Sequence, residues 1–393
     1  MLGSTKINSA IKRDMVNMTS VIEKLVSGSR RFTIGMDCWS KKGLTASFLG
    51  ISASFYNPEH RLAFHFLLNL FQIAHPHTGE MIAEKLCQCL QQWGIEQRRV
   101  IMVVTDNGAN MIKAVRVAAP DDIEEAEQST TDSEADDDGN MDDNSLQSQE
   151  DSEVDGDEIE NNGLVELDES DGISAEFISL HRFPCMAHTL QLVLKGVEHN
   201  VAYAKVLSKA RGIVRKIRIS SVATEKMVTL CGKTVVAECT TRWNSNMFMI
   251  ERLLLIKDHL AEVCKEMKWD CFLASEWVKL DELYQILKPF TDHTNVMQTD
   301  KFALSNVIPV LLDLSAHLSN STLPVARLLK ISLLARFDIL LNPDNPQFDP
   351  IPSAACLLDP SVASMLQTTD TTRLLAAAKS YILETREVKT AYQ

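Results

Sequence analysis

The sequence predicts an α/β fold: a mixed sheet interrupted by a long acidic insert and followed by an all-helical region. Three observations lead there. Between residues 31 and 104, three apolar segments rich in aromatic and β-branched residues are followed by a helical pattern and then a wholly apolar run. Residues 121–172 hold 23 Asp or Glu and no Lys or Arg. From residue 181 onward most of the chain shows apolar residues at helical spacing.

Residues 1–30 read as a polar, partly helical lead-in. RFTIGMDCWS (31–40), LTASFLGISASFY (44–56) and HRLAFHFLLNLF (60–71) read as three consecutive antiparallel strands. Hairpin turns are expected at Lys41-Lys42-Gly43 and Asn57-Pro58-Glu59. Thr78-Gly79-Glu80 opens a helix carrying Met81, Ile82, Leu86, Leu90 and Trp93 near the helical period, and Gly94 is placed to stop it. Val100 to Val104 is a continuous apolar run, as in a strand buried on both faces. It ends in Thr105-Asp106-Asn107-Gly108, where a helix begins.

Residues 120–174 lack the apolar side chains needed to offset their ordering entropy and are predicted to be a disordered insert. Beyond it, helices are expected over roughly 184–196, 201–219, 243–266, 273–298, 302–319 and 324–341, and Asn342-Pro343-Asp344-Asn345-Pro346 breaks the last. The divisions expected are therefore a lead-in (1–30), a sheet core (31–119), the insert (120–174), a continuation of the core (175–250) and a helical domain (251–393).

Composition narrows the function classes. The chain has 393 residues, 45% of them hydrophobic, and a net charge of −14. Removing the 23 acids of the insert leaves 39 basic against 30 acidic side chains, so the remainder carries about +9. A basic body suits a polyanion, because Lys and Arg release counterions from phosphates. The first residues contain no signal-peptide core, and the apolar stretches are shorter than a bilayer span, so no membrane partner is expected. The nine cysteines show no repeated spacing, and reduced thiols in an intracellular protein are expected.

Two acids fall at strand ends. Asp37 follows Phe32-Thr33-Ile34-Gly35-Met36, and Asp106 follows Val100 to Val104. Their position on a β-β-β-α-β-α order points to an RNase H-like sheet, whose first and fourth strands run parallel side by side. Two carboxylates there can share Mg²⁺ ions, since hard cations select oxygen ligands. Each aspartate alone would serve equally well as a turn or helix cap. Cys185 and His188, three residues apart at a helix start, are either half of a zinc site or a packed thiol beside a hydrogen-bonded imidazole. No second ligand pair follows, so zinc is not expected. Arg242-Trp243 is either packing or a phosphate contact beside a base-stacking ring.

The series DCWS, TDNGANM, CMAHTLQLVLK and TRWNSNMFMIERL resembles the hAT transposase superfamily, in particular its host-domesticated, ZBED-like members with a BED zinc finger. LKPFTDHTNVMQTDKFALSNVIPVLLDL and AACLLDP are similar to the helical insertion domain of that group. The resemblance implies that Asp37 and Asp106 match the first two acids of a catalytic triad. It further implies that Cys185 and His188 match a Cys-x-x-His motif, and that Arg242 and Trp243 face DNA near a flipped base. Nuclear location, DNA as partner, Mg²⁺ as cofactor of an active form and a homodimer in a full-length form follow as expectations.

Departures from the family pattern shape the expected function. No Cys precedes Cys38, so a BED finger is not expected; neither is the third acid, a Glu beyond the helical insertion, nor the dimerisation segment after it. Glu384 and Glu387 lie in no matching context. A non-catalytic DNA- or chromatin-associated regulator is therefore the first expectation. An active two-metal transposase and a scaffold that recruits proteins through the acidic insert are the alternatives.

Overall fold

The computed structural model describes residues 4–40, 46–74, 77–118, 180–237, 243–299 and 303–391. The predicted Lys41-Lys42-Gly43 turn, the acidic insert and Arg242 lie outside these residues.

The chain opens with α1 (Ser4–Ser27), then β1 (Phe32–Ser40), β2 (Ser47–Asn57) and β3 (Leu62–Ile73). α2 (Gly79–Gln92), β4 (Val100–Thr105), α3 (Ala109–Ala118) and a three-residue β5 (Arg182–Pro184) complete the sheet region. The strand order is β3-β2-β1-β4-β5. β1–β2 and β2–β3 pair antiparallel, and β1–β4 and β4–β5 pair parallel. This is the predicted RNase H-like mixed sheet.

Local chemistry sets several of these boundaries. Thr78 caps α2 by accepting the Met81 amide at 3.3 Å. Gly94, at φ +63°, takes the left-handed conformation that ends the helix and that a Cβ would strain. Asn57 shapes the β2–β3 turn, its Oδ1 accepting the amides of Glu59 and His60 at 3.0 Å. One face of the sheet packs on α2 and α3 through Ile34, Ile51, Val103, Leu86 and Ala114, all buried. The β1–β4 register shifts between Phe32 and Thr33, so Val100 and Val103, three apart, reach that same core. Met102 and Phe183 join the helical core on the other side.

That helical core is built from α4 (Met186–Lys195), α5 (Val201–Ile219), α6 (Ser221–Cys231), α7 (Trp243–Leu255), α8 (Lys257–Glu266) and α9 (Ala274–Met297). α10 (Val307–Ser319), α11 (Pro324–Arg336), α12 (Asp338–Leu341), α13 (Ile351–Leu358) and α14 (Thr372–Ala391) follow. The expected 243–266 and 324–341 helices are each broken, at Ile256 and Phe337. Both break residues are large, apolar and buried at 1% exposure, so burial of one side chain outweighs helix continuity. The helix expected from 302 begins at Val307 after a short 3₁₀ turn, Leu304–Asn306.

Candidate functional site

Three parallel strand ends converge. The β1–β4 register pairs Ile34 with Val103 and Gly35 with Val104. Continued two residues on, it sets Asp37 beside Asp106 on strands about 4.8 Å apart. Across β1 on the other side, Asp37 faces Gly50 of β2, where the Trp39 ring lies so close that a Cβ would meet it at 3.0 Å. A side chain there would require the Trp39 ring to shift by a few tenths of an ångström. Beyond Thr105, β5 delivers Cys185, whose amide donates to the Thr105 carbonyl at 2.7 Å.

Electrostatics places the thiols in the same cluster. Burial, and then the charges of Asp106 and Asp37, push the Cys38 thiol up to about 11. Burial also raises Cys185, opposed by the His188 and Ala187 amides and reinforced by Asp37 and Asp106. Both thiols feel the charge of both carboxylates, so all four residues lie near the same strand ends. Both also stay protonated at neutral pH, which leaves the two carboxylates as the hard anionic donors. That donor set fits Mg²⁺ better than zinc. Among the described residues, no three His, Cys, Asp or Glu side chains are grouped as a metal site.

The turn after β4 is held by a polar network. Asp106 Oδ1 accepts the Gly108 amide at 3.1 Å, so the capping role open to this residue is realised. Arg182 donates from Nε to Thr105 Oγ1 at 2.9 Å, and from Nη2 to the Asp106 carbonyl at 2.5 Å and Asn107 Oδ1 at 2.7 Å. Asn107 Nδ2 donates to Thr189 Oγ1 at 3.4 Å, and the Thr189 hydroxyl to the Cys185 carbonyl at 3.0 Å. Burial lowers the Arg182 pKa, while Asp106 opposes the change. Arg182, Thr105 and Asn107 had no signal in the sequence, because their contacts require β5 to pair with β4 across the insert.

Of the other predicted residues, Cys185 stands at the N-terminus of α4 with His188 inside its first turn, both partly buried. Trp243 is the first residue of α7.

Residues 35–128 match the family described as the ZBED1 RNase-like domain, and residues 183–285 match the ZBED1 RNase-like helical domain. Together the two matches cover half of the chain. The chain belongs to the hAT-derived, ZBED-like proteins. This ZBED-like chain is 24% identical over 334 residues to "Putative transcriptional regulator tpeD" of Talaromyces stipitatus, covering 77% of the chain and 34% of that protein. It is 26% identical over 198 residues to human "Zinc finger BED domain-containing protein 4", covering 47% of the chain and 16% of that protein. With "Putative AC transposase" of Zea mays it shares 22% identity over 295 residues, 72% of the chain and 30% of that protein. The chain thus spans between 16% and 34% of the length of these relatives. It is transposase-derived. Among the described residues, no helix is long and apolar enough to cross a membrane.

A second polar link fastens the ZBED-like sheet to its helices. His181, whose carbonyl accepts the Val103 amide at 2.8 Å, pairs through Nε2 with Asp349 Oδ2 at 3.0 Å. Asp349 Oδ1 accepts the Ile351 amide at 2.9 Å, at the start of α13. The hydrogen bond to Asp349 raises the His181 pKa, with burial opposing it. A raised histidine contributes its stability fully below the unfolded value of about 6.5 and loses it as pH rises through the folded value. Unfolding midpoints measured from about pH 6 to pH 8 should therefore fall in the wild type relative to His181→Gln. A constant difference across that range would refute the link.

Proposed function

We propose that this chain is a DNA-associated nuclear regulator that carries a transposase-type site without performing strand transfer. The make-up of the strand-end cluster carries the reading. It holds two carboxylates, one of them already capping the turn at Gly108, beside two protonated thiols. The relative named as a transcriptional regulator, which aligns with 77% of the chain, supports a regulatory role. The basic body supports a polyanionic partner.

In this reading Asp37 and Asp106 are the residues that would hold Mg²⁺, which would supply charge neutralisation at a phosphodiester. The protein's own part is to set the two carboxylates side by side, through the β1–β4 register and the Arg182 network. DNA binding is sequence-tolerant and falls with salt, because phosphates and not base edges are the contacts offered.

A second reading, a two-metal nuclease, is favoured by the placement of both aspartates at matching strand ends. Two measurements separate the readings: calorimetric titration with Mg²⁺ and Mn²⁺, and incubation with transposon-end DNA. The expected result is no cleaved or joined product with wild type or Asp37→Ala, whatever metal binding the wild type shows. A metal-dependent product that disappears in Asp37→Ala would overturn the proposal and establish the nuclease.

A further inference from the structure

We infer that α5 carries a docking groove for the sugar–phosphate backbone of DNA; the inference rests on the DNA-associated reading above. A groove of about 790 Å³ is lined by Arg211, Arg215 and Arg218 of α5, by the Glu198 carboxylate and by the exposed Ile219, with the buried Val214 and Met249 behind them. In its 19 residues α5 carries Lys205, Lys209, Arg211, Arg215, Lys216 and Arg218, and no acid.

These cations are not equally engaged. Lys209 pairs with Glu276 at 2.6 Å, and Arg211 with Glu198 at 2.7 Å. Among the described residues, Arg215 and Arg218 have no hydrogen bond or ion pair, and both are exposed. Arg211, Arg215 and Arg218 follow one another at spacings of four and three, so they lie along one face. Like charges at those spacings repel, by roughly 0.2–0.5 kcal/mol per pair. The favourable helix-end interaction reaches only the last turn, Lys216 and Arg218. Arg211 is compensated by Glu198, so the repulsion left within the described residues is between Arg215 and Arg218, and a row of anions relieves it.

Guanidinium chemistry favours DNA phosphates as that row. Arg211 to Arg218 spans seven residues, about 10.5 Å of helix, so the row can address more than one phosphate of a strand. Guanidinium binds phosphate bidentately, and the groove is lined by arginines. The 74%-exposed Ile219 offers an apolar surface to deoxyribose beside the charges. An acidic polypeptide is the competing occupant.

The test titrates the full chain with a short labelled duplex of mixed sequence over a range of salt. It compares wild type, Arg215→Gln/Arg218→Gln, and a charge-matched control, Arg327→Gln/Arg336→Gln, on exposed positions of α11. The expected result is a salt slope reduced by about 2, and affinity weaker by roughly tenfold or more, for the α5 variant only. Circular dichroism should show both variants melting as the wild type does. Equal losses in both variants, or none in the α5 variant while the wild type binds, would overturn the groove and leave the DNA-associated reading standing. No DNA binding by the wild type would overturn both. Selective, α5-dependent binding of poly-glutamate in place of the duplex would assign the groove to an acidic protein segment instead.

Discussion

Replacing Phe32 by alanine should lower the unfolding free energy by about 3–5 kcal/mol, the largest effect expected of a single substitution here. Phe32 is fully buried at the start of β1. Its ring packs on Phe55 at 5.1 Å, and the Arg99 guanidinium lies 5.0 Å over it. Arg99 also donates to the carbonyls of Val26 and Ser29, so one residue pair joins the end of α1, the first strand and the entry to β4. Truncation would remove the transfer energy of the ring and leave a cavity between strands whose register is already shifted at this point. Because β1 carries Asp37, looser β1–β4 pairing would also separate the two carboxylates. Urea unfolding measures the first effect. Leu62→Ala, at a position 58% exposed, should change stability by about 0.5 kcal/mol or less. A Phe32→Ala cost close to that of Leu62→Ala would contradict the packing argument.

The second large effect is expected at Arg182. Changing it to methionine keeps the stem but removes donors to Thr105 Oγ1, the Asp106 carbonyl and Asn107 Oδ1. Hydrogen bonds from a charged donor, and partly buried acceptors left unmet, put the cost at about 2–4 kcal/mol. Arg182→Lys retains the charge but not the planar fork that reaches three acceptors at once, so it should recover less than half of the loss. Complete rescue by lysine would show that charge alone holds the turn. If the turn loosens as expected, any divalent-ion affinity of the Asp37–Asp106 pair should fall with it, since the second carboxylate is aimed by that turn.

The parts of this molecule that were legible in the sequence are those set by local chemistry. The aromatic and β-branched segments of 31–71 marked the three antiparallel strands, the Thr78 cap and Gly94 marked the ends of α2, and the apolar run 100–104 marked a strand whose Met102 and Val103 enter the cores on its two sides, although Ile101 stays 43% exposed. The acids at two strand ends were visible because a strand end is a local event. β5 was not legible: three residues, Arg182–Pro184, have no periodicity, and they become a strand only by pairing with β4. The helix breaks at Ile256 and Phe337 lack any glycine or proline signal and exist because each side chain finds a place in the core.

The sequence by itself thus determined the element types, the charge separation between insert and body, and the residues able to do chemistry. Only the tertiary structure decided their company. Parallel pairing of β1, β4 and β5 brought Asp37, Asp106 and Cys185 to neighbouring strand ends and turned Arg182 from a surface charge into the brace of the Asp106 turn. It likewise made one face of α5 a wall of a groove and left two of its arginines without partners among the described residues. The physical reason is range: caps and periodicity act within a few residues, whereas register and burial depend on segments far apart in the chain.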